Sequence, residues 1–480
     1  MDILKFGYVV PTVEETMSKI WKKYLLWFAH QHANFRKEEM NSIISMFKIT
    51  LRLVFESTDH PFWIVELSSP DEAYLIASRS VLLRYCIELW ARSTNIEVLH
   101  SDLKSYPKDE IELYLSTTFK VVVETFCKHY TQREKVEKIE TFNYLPLKGS
   151  VNLKNPDTTL FYIEYYGIES NSIPEKPIEL FFGRWIADGQ RDTIQKLSLK
   201  SRKFIGNTSM DPQLSIIMAN QARVKKGDMV LDPFVGTGSL LIIASIFGGY
   251  TFGTDIDFLM LHARTRPSRI SQKIRDKDES IASNMEQYGV KSRFLDVLVS
   301  DFSRTLWRTD MQLDAIITDP PYGIREAVER VGTLKSNPFI EDDQIHYPSK
   351  VIYKLEHLFI DLLIFSVKHL RLNGRVVFWF PLFRGKYSED QLPFHPCLTL
   401  VASSEQILSN YTSRRLLTYE KIKEPETDDP ACTIGEANFR DQYFNMRKES
   451  RTVRRLRQSG ERARQRMEWE MRKTTNGDKT

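Results

Sequence analysis

The stretch "AIITDPPYGIRE", Ala315 to Glu326, ends a short β-branched run on an acid and sets two prolines, an aromatic ring and a glycine behind it. A buried strand stopping at Asp319 delivers its carboxylate to the edge of a sheet. Pro320 and Pro321, lacking N–H groups, hold the following backbone stiff and extended. The product is a rigid tip bearing an acceptor and the ring of Tyr322. Upstream, "VLDPFVGTGSLLI" reads as a strand ending at Asp232, a turn with Gly236 and Gly238, and a helix opening at Thr237 or Ser239. Glycines there let backbone approach a ligand closely, and the helix start offers free N–H groups, so a nucleotide-type ligand is implied. A dinucleotide fingerprint requires a third glycine where Leu241 stands, which disfavours NAD. "YTFGTDID" places Asp255 about 20 residues past the glycine turn, the position from which a carboxylate bonds ribose hydroxyls, with Asp257 able to share the role. Asp301 closes "FLDVLVSD" and is expected to face an adenine edge from the same side. Each acid alone is more often a turn cap. Three at consecutive strand ends, beside a glycine turn, favour a site, because open α/β sheets bind ligands at the carboxyl ends of their strands.

The elements that must position these groups alternate after Gly189: "DMVLDPFVGTGSLLIIASIF", "YTFGTDIDFLMLHAR", "SRFLDVLVSD", "LDAIITDPPYG", "VIYKLEHLFIDLLIFSVKHL", "GRVVFWFP". Short apolar strands separated by helices demand crossover connections, hence a mainly parallel, doubly wound sheet. Before Gly189 the pattern is mixed. "YLLWFAHQHANFRKEEMNSIISMF" reads as strand then helix, and "PFWIVELSSPDEAYLIASRSVLLRYCIELW" as strand, turn and amphipathic helix, a small α+β unit. From Asp102 to Gly189, strands such as "TLFYIEYYG" and "IELFFGRWIADG" alternate with the helix-like "REKVEKIE". The polar segment from Arg325 to Lys350 is too long for an ordinary connection and reads as a functional loop. The divisions expected are 1–100, 101–190, 191–423, and 424–480 for an acidic linker "EPETDDP" and a basic, helical or disordered tail.

With 480 residues, two or three domains are expected. No apolar run approaches the ~18 residues of a membrane span and no basic-then-apolar leader is read at the N-terminus, so a cytosolic or nuclear location is expected, with cytoplasm the first choice. Cys86, Cys127, Cys397 and Cys432 show no paired spacing, which argues against a disulfide framework and a zinc site of the chain's own. Residues 447–473 hold eleven Lys/Arg against four Glu, so the net charge of +4 conceals a basic tail on an otherwise acidic chain. Such a tail is either a solvated charged segment or a sequence-blind phosphate contact.

Following a fourth strand, "DPPY" resembles the signature of amino-group methyltransferases that use S-adenosylmethionine. The resemblance implies that Asp319 and the Pro320 carbonyl accept from an exocyclic amine. Such an amine is a poor nucleophile because its lone pair is delocalised into the ring, and those bonds orient it and favour localisation of the pair. Tyr322 then supplies a face for the extruded base. The sulfonium is already a strong electrophile, so in-line positioning does most of the work. "RKFIGNTSMDPQLSIIMANQARVKKGDMVLDPFVGTGSLLI" is similar to the junction in the THUMP-containing tRNA (guanine-N2-)-methyltransferases, in particular the catalytic subunit acting at position ten of tRNA. That family implies a Rossmann-like class I methyltransferase domain preceded by ferredoxin-like and THUMP-like domains. In it, the segment Asn207 to Ser215, Thr208 included, helps close the cofactor pocket, and a small zinc-binding activator subunit docks beside the sheet. Here "YTFGTDI" and the following helix, with Phe252, Phe258, Leu259 and Leu261, are the expected seat of that subunit.

The activity implied is N2-methylation of guanosine in tRNA, the N-terminal half gripping the tRNA body. Methylation of another exocyclic amine, such as adenine N6 in RNA or DNA, shares the same chemistry. A non-catalytic RNA-binding scaffold is the alternative from a different class, and the intact Asp319, Tyr322, Gly236 and Gly238 argue against it.

Overall fold

The computed structural model describes residues 21–114, 116–304, 306–333, 348–427, 429–435 and 439–447, with Gly460, Arg466 and Met467. Most of the basic tail and the centre of the polar loop after Asp319 lie outside the described residues.

The N-terminal half is built on β1 (Lys22–Phe28), β2 (Arg52–Phe55), β3 (Phe62–Leu67), β4 (Leu83–Ser93), β5 (Phe119–Phe126), β6 (Thr158–Tyr165) and β7 (Glu179–Asp188). They form one seven-stranded sheet in the order β2-β3-β1-β4-β7-β6-β5. Only β5 and β6 run parallel; the remaining pairs are antiparallel. Strand β4 corrects one expectation. The stretch "VLLRYCIELW" is not helical but a central strand, paired on one side with β1 and on the other with β7. Apolar residues covered on both faces lose their period-two alternation, and that loss makes a buried strand resemble a helix. The helix here is shorter, Pro70–Ala77, started by Ser69, whose hydroxyl accepts from the Glu72 amide, and by Pro70 in its first turn. Because β4 joins the strands on either side of residue 100, a single sheet spans both stretches before Gly189.

In the C-terminal half, β8 (Met229–Asp232), β9 (Tyr250–Asp255), β10 (Phe294–Val299), β11 (Leu313–Thr318), β14 (Leu370–Phe383), β15 (Leu398–Ile407) and β16 (Thr412–Lys421) form a second sheet, ordered β10-β9-β8-β11-β14-β16-β15. Strands β8 to β11 and β14 are mutually parallel, as the alternation predicts; β16 inserts antiparallel beside β14 and pairs with β15. The short hairpin β12 (Glu329–Val331) and β13 (Lys350–Ile352) projects after the Asp319 tip. β9 lies between β10 and β8, and Phe252 is buried, so "YTFGTDI" is not an edge and cannot receive another strand. The edges are β10, with Leu295, Leu298 and Val299 open to solvent, and β15 at the other end.

The two halves share a core. All ten residues of the helix Pro212–Gln221 are buried, and Ile216 and Ile217 join one apolar cluster with Met40 and Ile43 of the N-terminal helix Arg36–Phe47. Burying a polar group costs free energy unless it is bonded, and this seam pairs several of its polar side chains. Asn220 donates to Glu39 (2.8 Å) and accepts from Arg79 (3.0 Å), while Arg375 reaches Ser42 (3.1 Å). Among the described residues no helix is long and apolar enough to cross a membrane.

Candidate active site

Parallel pairing sends β8, β9, β10 and β11 out of the sheet at one edge, and the expected acids leave from it: Asp232 and Asp255 end their strands, Asp301 and Asp319 follow theirs. They surround a cavity of about 1150 Å³. Thr208, Asp232, Gly236, Asp255, Asp257, Asp301, Asp319, Pro320 and Tyr322 all line it.

Gly238 is not among the lining residues, although its neighbours Thr237 and Ser239 are. It sits at the start of the helix Ser239–Ile246 with φ +78°, and a Cβ there comes within 2.8 Å of Ile281 in the core. Its glycine is demanded by conformation and packing. Gly236, with φ +51°, behaves differently: an added Cβ meets nothing within 4 Å, and the residue faces the cavity. This turn is the cradle a nucleoside-bearing ligand requires.

Asp255 braces that turn. One carboxylate oxygen accepts from the Gly236 amide and the other from the Asp257 amide, both at 2.9 Å. Asp257 caps the following turn by accepting from Met260 N–H (3.0 Å). Asp301 accepts from Ser303 N–H (2.9 Å) and Val331 N–H (2.7 Å), which ties β12 to the end of β10. Each carboxylate oxygen has a second acceptor position, so these bonds orient the acids without exhausting them. Asp232 is 2 % exposed, and its carboxylate accepts from the Thr318 hydroxyl and the Phe234 amide. Burial pushes its pKa up to about 7, opposed by those bonds and reinforced by the nearby charges of Asp255 and Asp319. Burial raises Asp255 as well. A cavity ringed by carboxylates suits a cationic ligand.

At the tip, the Tyr322 hydroxyl donates to one oxygen of Asp319 while Arg414 Nη1 lies 3.1 Å from the other. Burial raises the Asp319 pKa, and the Arg414 charge is the largest force against it. Sequence reasoning missed Arg414. It arrives from β16, which runs antiparallel to β14, and its only sequence signal is the Arg414–Arg415 pair in the mixed stretch "TSRRLLTYEK". Phe439 was missed too. It lies beyond the acidic linker, is 4 % exposed, and meets Tyr322 edge-on with ring centres 6.5 Å apart. Thr208 donates to Glu326 (3.1 Å), joining the Asn207–Asp211 segment to the loop beyond the tip.

A glycine turn facing an acid-proline-proline-tyrosine tip across the carboxyl edge of this sheet defines a class I, Rossmann-like methyltransferase. Comparison with known proteins narrows it. The family described as Tmrp11 THUMP N-terminal domain matches residues 22–191, and the RMKL-like methyltransferase domain matches residues 200–336. The tRNA (guanine(10)-N(2))-methyltransferase TRMT11 of Bos taurus is 45% identical over 442 residues, covering 89% of this chain and 96% of its own. Its counterpart in Homo sapiens is 43% identical, covering 88% and 95%, and the tRNA (guanine(10)-N(2))-methyltransferase of Saccharomyces cerevisiae is 34% identical, covering 88% and 99%. The chain belongs to the tRNA (guanine(10)-N(2))-methyltransferase TRMT11 family. Among solved structures, TrmN from Thermus thermophilus covers 83% of this chain and all of its own at 18% identity and TM-score 0.40, too distant a likeness to bear on function.

Proposed function

We propose that this chain is the catalytic subunit of an enzyme that methylates the exocyclic N2 of the guanosine at position ten in tRNA, using S-adenosyl-L-methionine. The observation that carries the reading is the seating of Asp319, Pro320 and Tyr322 in one cavity with the Gly236 turn, in a chain similar along nearly all its length to named tRNA (guanine(10)-N(2))-methyltransferases. The cofactor fits the residues present: Gly236 opens backbone to it, Asp255 and Asp257 lie where ribose hydroxyls are bonded, Asp301 stands at the third strand for the base, and Thr208 and Asp232 complete the wall. When bound, it supplies a methyl group on a sulfonium, open to direct attack by nitrogen.

The chain's own residues supply position. The Asp319 carboxylate and the Pro320 carbonyl accept from the amine N–H groups and turn its lone pair into the cavity. Tyr322, whose hydroxyl is held by Asp319, presents its ring to the base. Phe383 and Phe439, 5.1 Å apart, wall the same side.

The rest of the chain serves the substrate. The divisions 1–100 and 101–190 act as ferredoxin-like and THUMP-like parts of one tRNA-gripping half on a shared sheet, 191–423 carries catalysis, and the basic tail adds phosphate contacts. A small zinc-binding activator subunit pairs with the exposed edge β10, where Leu295, Leu298 and Val299 offer apolar surface. The enzyme works in the cytoplasm.

Nucleoside mass spectrometry of tRNA from cells lacking this chain tests the reading. Loss of N2-methylguanosine at position ten, restored by the wild-type chain and not by Asp319→Ala, is expected. An unchanged guanosine profile with loss of a methylated adenosine would replace the substrate.

A further inference from the structure

We infer that Arg414 is a positioning residue for methyl transfer, holding the Asp319 carboxylate in its anionic, amine-accepting form and fixing the direction in which it points. The inference deepens the function proposed above and rests on it for substrate.

Arg414 is built into place from several sides. The antiparallel pairing of β16 with β14 sets it opposite Pro381, two residues along β14 from Trp379. Its guanidinium carbon lies 3.9 Å from the centre of the Trp379 ring, which is fully buried. Nε donates to Gln406 Oε1 at 2.8 Å and Nη2 approaches Met210 Sδ at 3.8 Å. Ring, amide and thioether are neutral, so the one charged group in direct contact is Asp319: Nη1 donates to Asp319 Oδ2 at 3.1 Å and to Tyr322 Oη at 3.3 Å. The Arg414 side chain is 12% exposed and that of Asp319 25%. A cation fixed this way, with little water to screen it, acts strongly on the one carboxylate it touches.

The consequence is chemical. A protonated Asp319 turns an acceptor into a donor and points an O–H at an N–H. Burial drives Asp319 toward that form, Asp232 faces it from β8 as a further acid, and Tyr322 and Arg414 oppose the drift. His32, from the N-terminal half, feels the charges of both Arg414 and Asp211. Arg414 is therefore the cation that keeps the tip competent. Its bond leaves the second acceptor position of each Asp319 oxygen available to the incoming amine.

The test uses the full chain carrying Arg414→Gln, Arg414→Lys or Gln406→Ala, with folding checked by thermal melting. In Arg414→Gln, kcat for tRNA methylation falls about 10–100-fold while the cofactor Kd changes little. The acidic limb of its pH profile moves up by about one unit. Arg414→Lys, which keeps the charge and loses the fork, returns the limb toward wild type with partial kcat, and Gln406→Ala gives a smaller shift of the same sign. Carboxyl-carbon NMR of aspartate-labelled protein, assigned with Asp319→Asn, reads the same titration without turnover. An Asp319 titration that does not move in Arg414→Gln or in Gln406→Ala overturns the inference, whatever nucleoside the enzyme modifies. A wrong substrate, by contrast, changes only which base acquires the methyl.

Discussion

Glu164 in the N-terminal half and Asp232 in the C-terminal half are both buried acids on sheet strands, at 0% and 2% exposure. Burial raises the pKa of each, yet Glu164 ends below its ordinary value and Asp232 near 7. The difference lies in the partners. Lys138 pairs with Glu164 at 2.8 Å, and the hydroxyls of Tyr130, Tyr162 and Tyr166 all donate to it. Asp232 receives one hydroxyl and one amide, with two further carboxylates as neighbours. In the first half a buried charge is fully answered within the chain and serves stability. In the second it is left for a cationic ligand to answer, the arrangement of a functional site.

The largest effect that bears on this contrast is expected at Asp319. Asp319→Ala should lower methyl transfer by about 10³-fold with only a small change in cofactor affinity, since the amine contact matters in the transition state. Single-turnover kinetics beside calorimetry with S-adenosylhomocysteine checks it, and robust turnover would show the tip to be structural. Next come the glycines. Gly236→Ala should cost about 1 kcal/mol of strain and weaken cofactor binding about tenfold. Gly238→Ala should cost about 2–3 kcal/mol through its φ and Ile281, binding being affected only through the fold.

Opposite pH slopes sharpen the comparison further. Glu164, lowered in the folded state, contributes stability above its unfolded pKa that is lost as pH falls through the folded value. Glu164→Gln should therefore cost about 2 kcal/mol at pH 7 and progressively less in acid. Asp232, raised from 3.8 to about 7, contributes stability that is complete below 3.8 and lost as pH rises toward 7. Asp232→Asn keeps an acceptor oxygen and should flatten this part of the stability–pH curve, as urea titrations across that window would show. The smallest effect belongs to the tail. Truncation after Arg447 should weaken tRNA binding and reduce its salt slope at unchanged kcat. Truncation after Glu424 should also lower kcat, because it removes Phe439 from beside Tyr322.

Much of the site was legible because its parts are local. Asp232, Asp255, Asp301 and Asp319 announce themselves as acids ending apolar runs, and a parallel sheet brings such ends to one edge whatever the loops do. Gly236 and Gly238 were equally visible but not separable, since spacing does not say which of two left-handed glycines faces a ligand and which faces Ile281. Strand β4 was misread because burial on both faces erases its period, and β9 was read as a partner's seat although the later-arriving β10 covers that side of it.

By itself, then, the amino-acid sequence determined the alternation of strands and helices from Asp228 to Pro381, the stiff DPPY tip and the acids that ring the cavity, because each rests on neighbours in the chain. Tertiary structure decided the rest. It set Arg414 of β16 against Asp319, 95 positions earlier, and Phe439 against Tyr322. It also joined the two halves through Asn220, Glu39 and Arg79. Such contacts depend on which strand inserts beside which, and on surfaces that exist only once both sheets are packed; no local period or spacing encodes them.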